Sequence, residues 1–329
     1  MRILVTGASG FVGGHAVARL AAAGHTVVAT GRNVAKLQAL ERTGVICLPA
    51  DLAADDLYPL VHDCDAVIHS AALAAPWGPR AAFLRQNLQA TERLVAACKT
   101  AGSVRRFVHI STPSIYYKPR DQFDIPEAFT PPDRWRTWYA QSKWLAESCV
   151  RAPGNHSLRP LILRPRAVFG AGDTAIVPRL LAVARRGVFP LVRGGRASID
   201  VTCIDNLVDA VELALAAPDE LAGRAFNITN GEPITVKALV EDLFAALGLE
   251  VRLQPVPLAL VSALAAMSEL VATLRPGRPE PRLTRYGIGL LGYSQTLSID
   301  AARSLLGYRP RISTHEGLRL HAPWYRAHA

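Results

Sequence analysis

Lysine is nearly missing from this chain of 329 residues: Lys36, Lys99, Lys118, Lys143 and Lys237 are the only ones among 37 basic side chains. Charged residues of all kinds reach just 19% and aromatics 7%, against 50% hydrophobic residues. So small a charged fraction excludes a disordered or fibrous chain. A chain of this length buries about three quarters of its unfolded surface on folding. Cysteine is sparse as well. Cys47, Cys64, Cys98, Cys149 and Cys203 are odd in number, form no CxxC pair and have no histidine at zinc-ligand spacing. This excludes a disulfide scaffold, predicts no metal site and fits a reducing, cytoplasmic setting.

Other absences narrow the partners. The net charge is +10, yet no dense basic block exists; residues 185–196 spread four arginines among glycines and aliphatics. No nucleic-acid motif accompanies them, so nucleic acid is not an expected partner. Long apolar runs are absent too. The N-terminal apolar stretch is too short for a signal peptide and leads straight into a glycine loop. Residues 257–274, broken by Ser262, Ser268 and Glu269, are short for a membrane span. They read as a helix packed inside the protein or lying on a membrane.

What is present is alternation. Residues 3–6, 26–30, 45–48, 66–69 and 106–111 read as strands, and 11–23, 80–101 and 138–150 as helices, with a weaker helix at 37–42. The strands are nearly continuous apolar runs, as expected of a parallel sheet covered on both faces. The fold class is therefore α/β, a Rossmann-type doubly wound sheet. After residue 170 the rhythm changes: helices at 176–186, 206–217 and 236–247 separate strands at 225–229 and 251–254. Residues 1–170 read as a dinucleotide-binding core to which 199–229 return, and 171–329 mainly as a smaller substrate-binding region. The proline-rich residues 118–136 read as one long loop.

Three patterns carry chemistry. Gly7, Gly10 and Gly13, with Ser9, Phe11 and Val12 between them, follow the first strand and open the first helix. The first glycine permits a tight turn, the second lets a pyrophosphate approach the backbone, and the third lets helix pack on strand. The helix N-terminus then offers N–H groups and a positive dipole end. After the second strand the chain reads Ala29-Thr30-Gly31-Arg32-Asn33, with no carboxylate for an adenosine ribose. Arg32 is suited to a 2′-phosphate, so NADP(H) is expected over NAD(H). Finally, Tyr139 and Lys143 stand four residues apart, on one helical face. A phenol titrates near 10, and a neighbouring ammonium lowers that value toward use as a general acid/base.

Together these motifs resemble the extended short-chain dehydrogenase/reductase family, the NAD(P)-dependent epimerase/dehydratases, over nearly the whole chain. The resemblance implies that Asp51-Leu52 contacts adenine and that Ser70, Ala71 and Ala72, after His69, lie along the cofactor. It places Asn87 in an N-x-x-x-T helix and sets Pro165, Ala167 and Val168 at the nicotinamide pocket. It makes Tyr139 the proton carrier, with Lys143 on the nicotinamide ribose. Thr112 is the expected catalytic hydroxyl and Ser111 the competing one; Trp77, Thr112 and Ser114 are expected to face substrate. Two departures matter. Pro113 and Ser114 stand where dehydratases carry an acidic pair, and Ile199 where epimerases usually carry a diphosphate-gripping arginine, with Arg193 and Arg196 as open substitutes. Segments 164–173 and 199–206 resemble the 3β-hydroxysteroid dehydrogenase-like branch, which includes the 2-alkyl-3-oxoalkanoate reductases.

The expected activity is thus NADP(H)-dependent interconversion of a secondary alcohol and a ketone on an apolar, lipid- or steroid-like substrate, or a 3-oxoacid. A sugar-nucleotide epimerase and a non-catalytic NADP-sensing protein are the alternatives. Trp77 and residues 257–274 suit either a greasy pocket or plain core. Family resemblance also implies a homodimer built on the helices 80–101 and 138–150.

Overall fold

The computed structural model describes residues 1–152, 158–185, 187–277, 279–281 and 283–328. Seven strands form the main sheet: β1 (Arg2–Thr6), β2 (Thr26–Thr30), β3 (Val45–Cys47), β4 (Ala66–His69), β5 (Arg106–Ile110), β6 (Arg159–Pro165) and β7 (Ala225–Ile228). All pair in parallel, in the order β7-β6-β5-β4-β1-β2-β3. The order reverses between β1 and β4, and a doubly wound sheet opens its ligand crevice at the carboxyl ends of such strands.

Alternation along each strand feeds two cores. Ile3 and Val5 pack with Val17 and Leu20 of α1 (Phe11–Ala22) and with Leu207 and Val211 of α2 (Ile204–Ala216). Leu4 and Val67 point the other way, against Leu94 and Cys98 of the helix 80–101. Each fully buried aliphatic side chain stabilises by about 1.5–3 kcal/mol over its exposed form, which explains strands with almost no polar residues. The helix 80–101 carries an unforeseen π-helical stretch, Leu84–Gln89, and Asn87 lies within it. Of residues 199–229, Ala225–Ile228 supplies the last strand and α2 covers the sheet.

The remainder of the chain builds a second region around Phe189, Leu243, Phe244 and Tyr325. Its four-stranded sheet runs Ile234–Thr235, Ser198–Ile199, Gln295–Leu297, Gln122–Ile125. The last of these corrects the reading of 118–136 as one loop. Gln122–Ile125 is a four-residue edge strand, too short for its Gln-Phe-Asp-Ile alternation to stand out, with Phe123 exposed and a partner about 170 residues downstream. Residues 257–274 also depart from expectation. They form the helix Leu258–Leu274, in which only Ala265 and Ala272 are buried. Leu260, Leu264, Met267, Leu270 and Leu274 are exposed, so the helix is not plain core. No helix among the described residues is long and apolar enough to cross a membrane. Arg186, read as the end of a helix, lies outside the described residues; that helix runs Val177–Ala184.

Candidate active site

The glycine loop sits in the crevice. Gly7 has φ +68°, and a Cβ there would stand 2.8 Å from the backbone nitrogen of Ala71; one at Gly13 would collide with the Gly7 carbonyl. Loop, helix and the 70–73 turn are therefore packed backbone to backbone. Gly10 caps α1 without a side-chain acceptor, and no acidic residue occupies the first turn. The helix end keeps its positive dipole for an anion. Ser9, Phe11 and Val12 lie on this loop and first turn, and Phe11 also packs beside Gly172.

A single chain of hydrogen bonds sets the turn at 70–73. Ala71 N–H donates to Thr6 Oγ1 at 3.3 Å, and Thr6 Oγ1 lies 2.8 Å from His69 Nδ1. His69 Nε2 lies 2.8 Å from Thr91 Oγ1, which donates to the Asn87 carbonyl at 2.6 Å. Because Thr91 spends its proton on that carbonyl, His69 must donate from Nε2 and accept at Nδ1. Full burial holds this imidazole neutral, its pKa lowered to about 3. The Asn87 side chain accepts from Leu73 N–H at 2.7 Å and donates to Ser142 Oγ at 2.9 Å, tying the turn to α3 (Trp138–Arg151). Asn87 is 1% exposed, and its side chain is engaged with protein on both sides. Ser70 Oγ likewise donates to the Thr6 carbonyl. Ala72 and the half-buried Trp77 continue along this turn.

At the adenine end, Arg93 donates to the carbonyls of Leu52 and Ala54, which fixes the loop after β3. Asp51 caps that loop through Ala53 N–H and stands 3.8 Å from Arg85. Arg32 is exposed at the end of β2 and has no hydrogen-bond or ion-pair partner among the described residues.

At the other end, Thr137 caps α3 through Ala140 N–H, and the helix presents Tyr139 and Lys143 one turn apart. Lys143 Nζ donates to the Ile110 carbonyl at 2.7 Å and lies 3.3 Å from His109 Nε2. Burial lowers this ammonium to about 8, partly offset by Glu147. Against the lowering expected from Lys143, burial pushes the Tyr139 phenol up to about 12, and the interaction that pulls it down is a hydrogen bond with Thr112. Thr112 Oγ1 bonds Ser114 Oγ at 2.9 Å. Ser111 turns away, donating to Glu147 Oε1. The structure thus brings Thr112, not Ser111, beside Tyr139.

Sequence reasoning missed what lies behind these residues. Glu147 is fully buried and receives Arg164 at 3.0 and 2.7 Å, Arg151 at 3.0 Å and the Ser111 hydroxyl. Arg164 also donates to Tyr116 Oη, which donates to Asn227 Oδ1 at 2.9 Å. The spacing of Tyr139, Lys143 and Glu147 on one helical face was the available signal. Tyr286, which donates to Ser114 Oγ at 2.9 Å, gave none, being 172 residues away. Pro165 ends β6, and Ala167 turns left-handed at φ +46° beside Val168. Cys203, Asp205 and His321 also gather, beside Gly170; His321 Nε2 stands 3.0 Å from Asp205 and holds its carboxyl down at about 2.

A glycine-cradled crevice that ends at a half-buried tyrosine one turn from a buried lysine defines an NAD(P)-dependent dehydrogenase/reductase of the short-chain type. The NAD dependent epimerase/dehydratase family matches residues 3–229, and the chain belongs to that family. It is 35% identical to a 2-alkyl-3-oxoalkanoate reductase from Stenotrophomonas maltophilia, over 97% of this chain and 98% of that one. A sterol-4-alpha-carboxylate 3-dehydrogenase (decarboxylating) from Mus musculus is 30% identical over 95% of this chain and 88% of its own. These relatives place it in the 3β-hydroxysteroid dehydrogenase-like branch. The fold matches a UDP-glucuronic acid 4-epimerase from Bacillus cereus solved with NAD, at TM-score 0.79 and 22% identity, over 99% of each chain.

Proposed function

We propose that the protein is an NADP(H)-dependent reductase/dehydrogenase that interconverts a ketone and a secondary alcohol on a lipid-like substrate, a 3-oxoacid above all. The observation that carries this reading is the Thr112–Tyr139–Lys143 arrangement beside the glycine cradle. When bound, a nicotinamide dinucleotide supplies or accepts the hydride. Gly7, Gly10, Gly13 and the free end of α1 would hold its pyrophosphate, Asp51 and Leu52 its adenine end, and Ser70 to Ala72 its flank. Arg32, exposed and unpartnered among the described residues, would pair with a 2′-phosphate.

The chain's own groups divide the remaining work. A phenol as high as about 12 stays protonated at neutral pH, so Tyr139 Oη holds a proton ready for a ketone oxygen. Thr112 Oγ1 stands at the same oxygen and orients it. Lys143, held by Ile110 and His109, keeps a positive charge one turn from the phenol and favours the tyrosinate left behind. Pro113 and Ser114 offer no carboxylate for eliminating water. The relatives' printed activities, on 2-alkyl-3-oxoalkanoates and a sterol carboxylate, favour an acid over a neutral sugar. The test is oxidation of a 2-alkyl-3-hydroxyalkanoate with NADP⁺ and NAD⁺, followed at 340 nm. Net reduction of NADP⁺ is expected; turnover with no net cofactor change would indicate an epimerase, and binding without turnover a sensor.

A further inference from the structure

Arg164 and Arg166 stand two residues apart and are both buried, at 1% and 6% exposure. Arg164 is saturated by Glu147, Tyr116 and the Glu127 carbonyl. Arg166 is the opposite case. Its backbone N–H donates to the Ile228 carbonyl, but its Nε is fully buried with no hydrogen-bond partner. The guanidinium makes no ion pair among the described residues. Its charged or titratable neighbours are Tyr286, Asp200 and Tyr117. Two of these are phenols that burial pushes upward, so they are neutral at neutral pH. Asp200 is engaged by Leu297 N–H at 2.7 Å, and burial raises its carboxyl to about 6.

A buried cation without a bonded counter-charge costs several kcal/mol, and such a group calls for an explanation. Its location supplies one. Tyr286 bonds Ser114, Ser114 bonds Thr112, and Tyr286 also faces Tyr139. The rings of Tyr117 and Tyr286 meet edge to face at 4.9 Å. Arg166 therefore shares a wall with the reacting centre, in a lining that is otherwise aromatic. We propose that Arg166 is the carboxylate-binding residue of the substrate site, taking the acid group of a substrate whose oxygen is held by Tyr139 and Thr112. A planar guanidinium accepts a carboxylate through two parallel bonds. A sugar diphosphate carries more charge than this one buried cation matches; the other arginine facing Tyr117, Arg136, is exposed. This assignment rests on the reductase reading and adds to it the residue that selects acids over neutral ketones.

The test compares a 2-alkyl-3-hydroxyalkanoate with its methyl ester, in the wild type, Arg166→Gln and Arg166→Lys. Two readouts are used: kcat/KM with NADP⁺, and the thermal shift that each compound gives the cofactor-loaded protein. In the wild type the acid is expected to exceed the ester about 100-fold or more. In Arg166→Gln that ratio falls by about 30-fold, mainly through KM, as loss of a charge-assisted bond implies. Arg166→Lys, which keeps a cation without the fork, lies between. The acid should stabilise the wild type and not Arg166→Gln. An unchanged acid-to-ester ratio, or an acid-induced shift that survives in Arg166→Gln, overturns the assignment. If no substrate turns over, the reductase reading fails, and the thermal shift by the acid still decides Arg166.

Discussion

The network behind the 70–73 turn and the surroundings of Arg166 treat buried polarity in opposite ways, although Thr30 Oγ1 and His109 Nδ1 also lie buried without a hydrogen-bond partner in the main sheet. On the cofactor side, Thr6, His69, Thr91 and Asn87 form one chain in which each proton has an acceptor, and Ser111, Glu147 and Arg164 form another. On the substrate side, Arg166 stays unpartnered and the helix Leu258–Leu274 leaves most of its leucines exposed. A dinucleotide presents the same phosphates and riboses every time, so its side can be closed and rigid. The proposed lipid-like acid would have to enter and leave, and its side keeps a cation without a bonded partner and exposed apolar surface. If that contrast is real, damage on the closed side should cost stability, and damage on the open side should cost selectivity.

The largest expected effect falls where the two sides meet. Tyr139→Phe removes the proton carrier and should lower kcat by about 10²–10⁴-fold, the range of general acid–base catalysis. Cofactor affinity, followed by quenching of protein fluorescence, should change little; a variant that kept full activity would falsify the assigned mechanism. Next comes Glu147→Ala, which strands Arg164 inside the protein. Removing one partner of a buried pair costs about 3–5 kcal/mol, read as a lower urea midpoint. Arg166→Met should lower the midpoint far less, because Arg166 makes no side-chain hydrogen bond and has only an unbonded attraction to Asp200 to lose. A comparable fall in both variants would show that the two arginines are structural alike, and the contrast would collapse.

How much of this was legible depends on contiguity. Gly7, Gly10 and Gly13, or Tyr139 and Lys143, act together because they are neighbours along a turn or helix, so spacing alone exposes them. The parallel sheet was legible for a similar reason: strands buried on both faces must be apolar throughout. Arg166, Tyr286 and the edge strand Gln122–Ile125 are different. Each takes its meaning from residues distant in the chain, Tyr286 for Arg166, Ser114 for Tyr286 and Gln295–Leu297 for the strand, and no local pattern distinguishes Arg166 from the other arginines. Exposure of the helix Leu258–Leu274 was hidden too, since a continuous apolar run reads alike whether it faces protein or solvent.

Acid separates β4, on the cofactor side, from α2 by pH. The unfolded chain binds a proton on His69 near pH 6.5, whereas the folded protein refuses it until about pH 3. Stability from that side therefore falls as pH drops through this window, by up to about 1.4 kcal/mol per pH unit for one proton. On α2, Asp205 works lower. Its carboxyl is held at about 2 by His321, so its contribution is present above about pH 4 and is lost toward pH 2. Hydrogen exchange at pH 5 should accordingly loosen β4 and the 70–73 turn before α2. His69→Gln should remove about one proton from the slope of stability between pH 6 and 4. Equal slopes in the variant and the wild type would mean that His69 is not held neutral.

The smallest effect tests an exposed residue on the closed side. Arg32 is bonded to nothing among the described residues, so Arg32→Ala should leave stability within about 0.5 kcal/mol, as for an ordinary surface change. Its consequence should appear only with the cofactor's third phosphate. A charge-assisted pair at an exposed site is weakened by solvent and salt, so the loss is expected to be about 10-fold in NADPH affinity rather than more. NADH affinity should hold, and the NADPH preference should shrink as ionic strength rises in the wild type but not in the variant. Equal binding of both nucleotides by the wild type would remove Arg32 from the site. The cofactor side would then be closed at both ends, its specificity carried by the loop after β3 and the turn at 70–73.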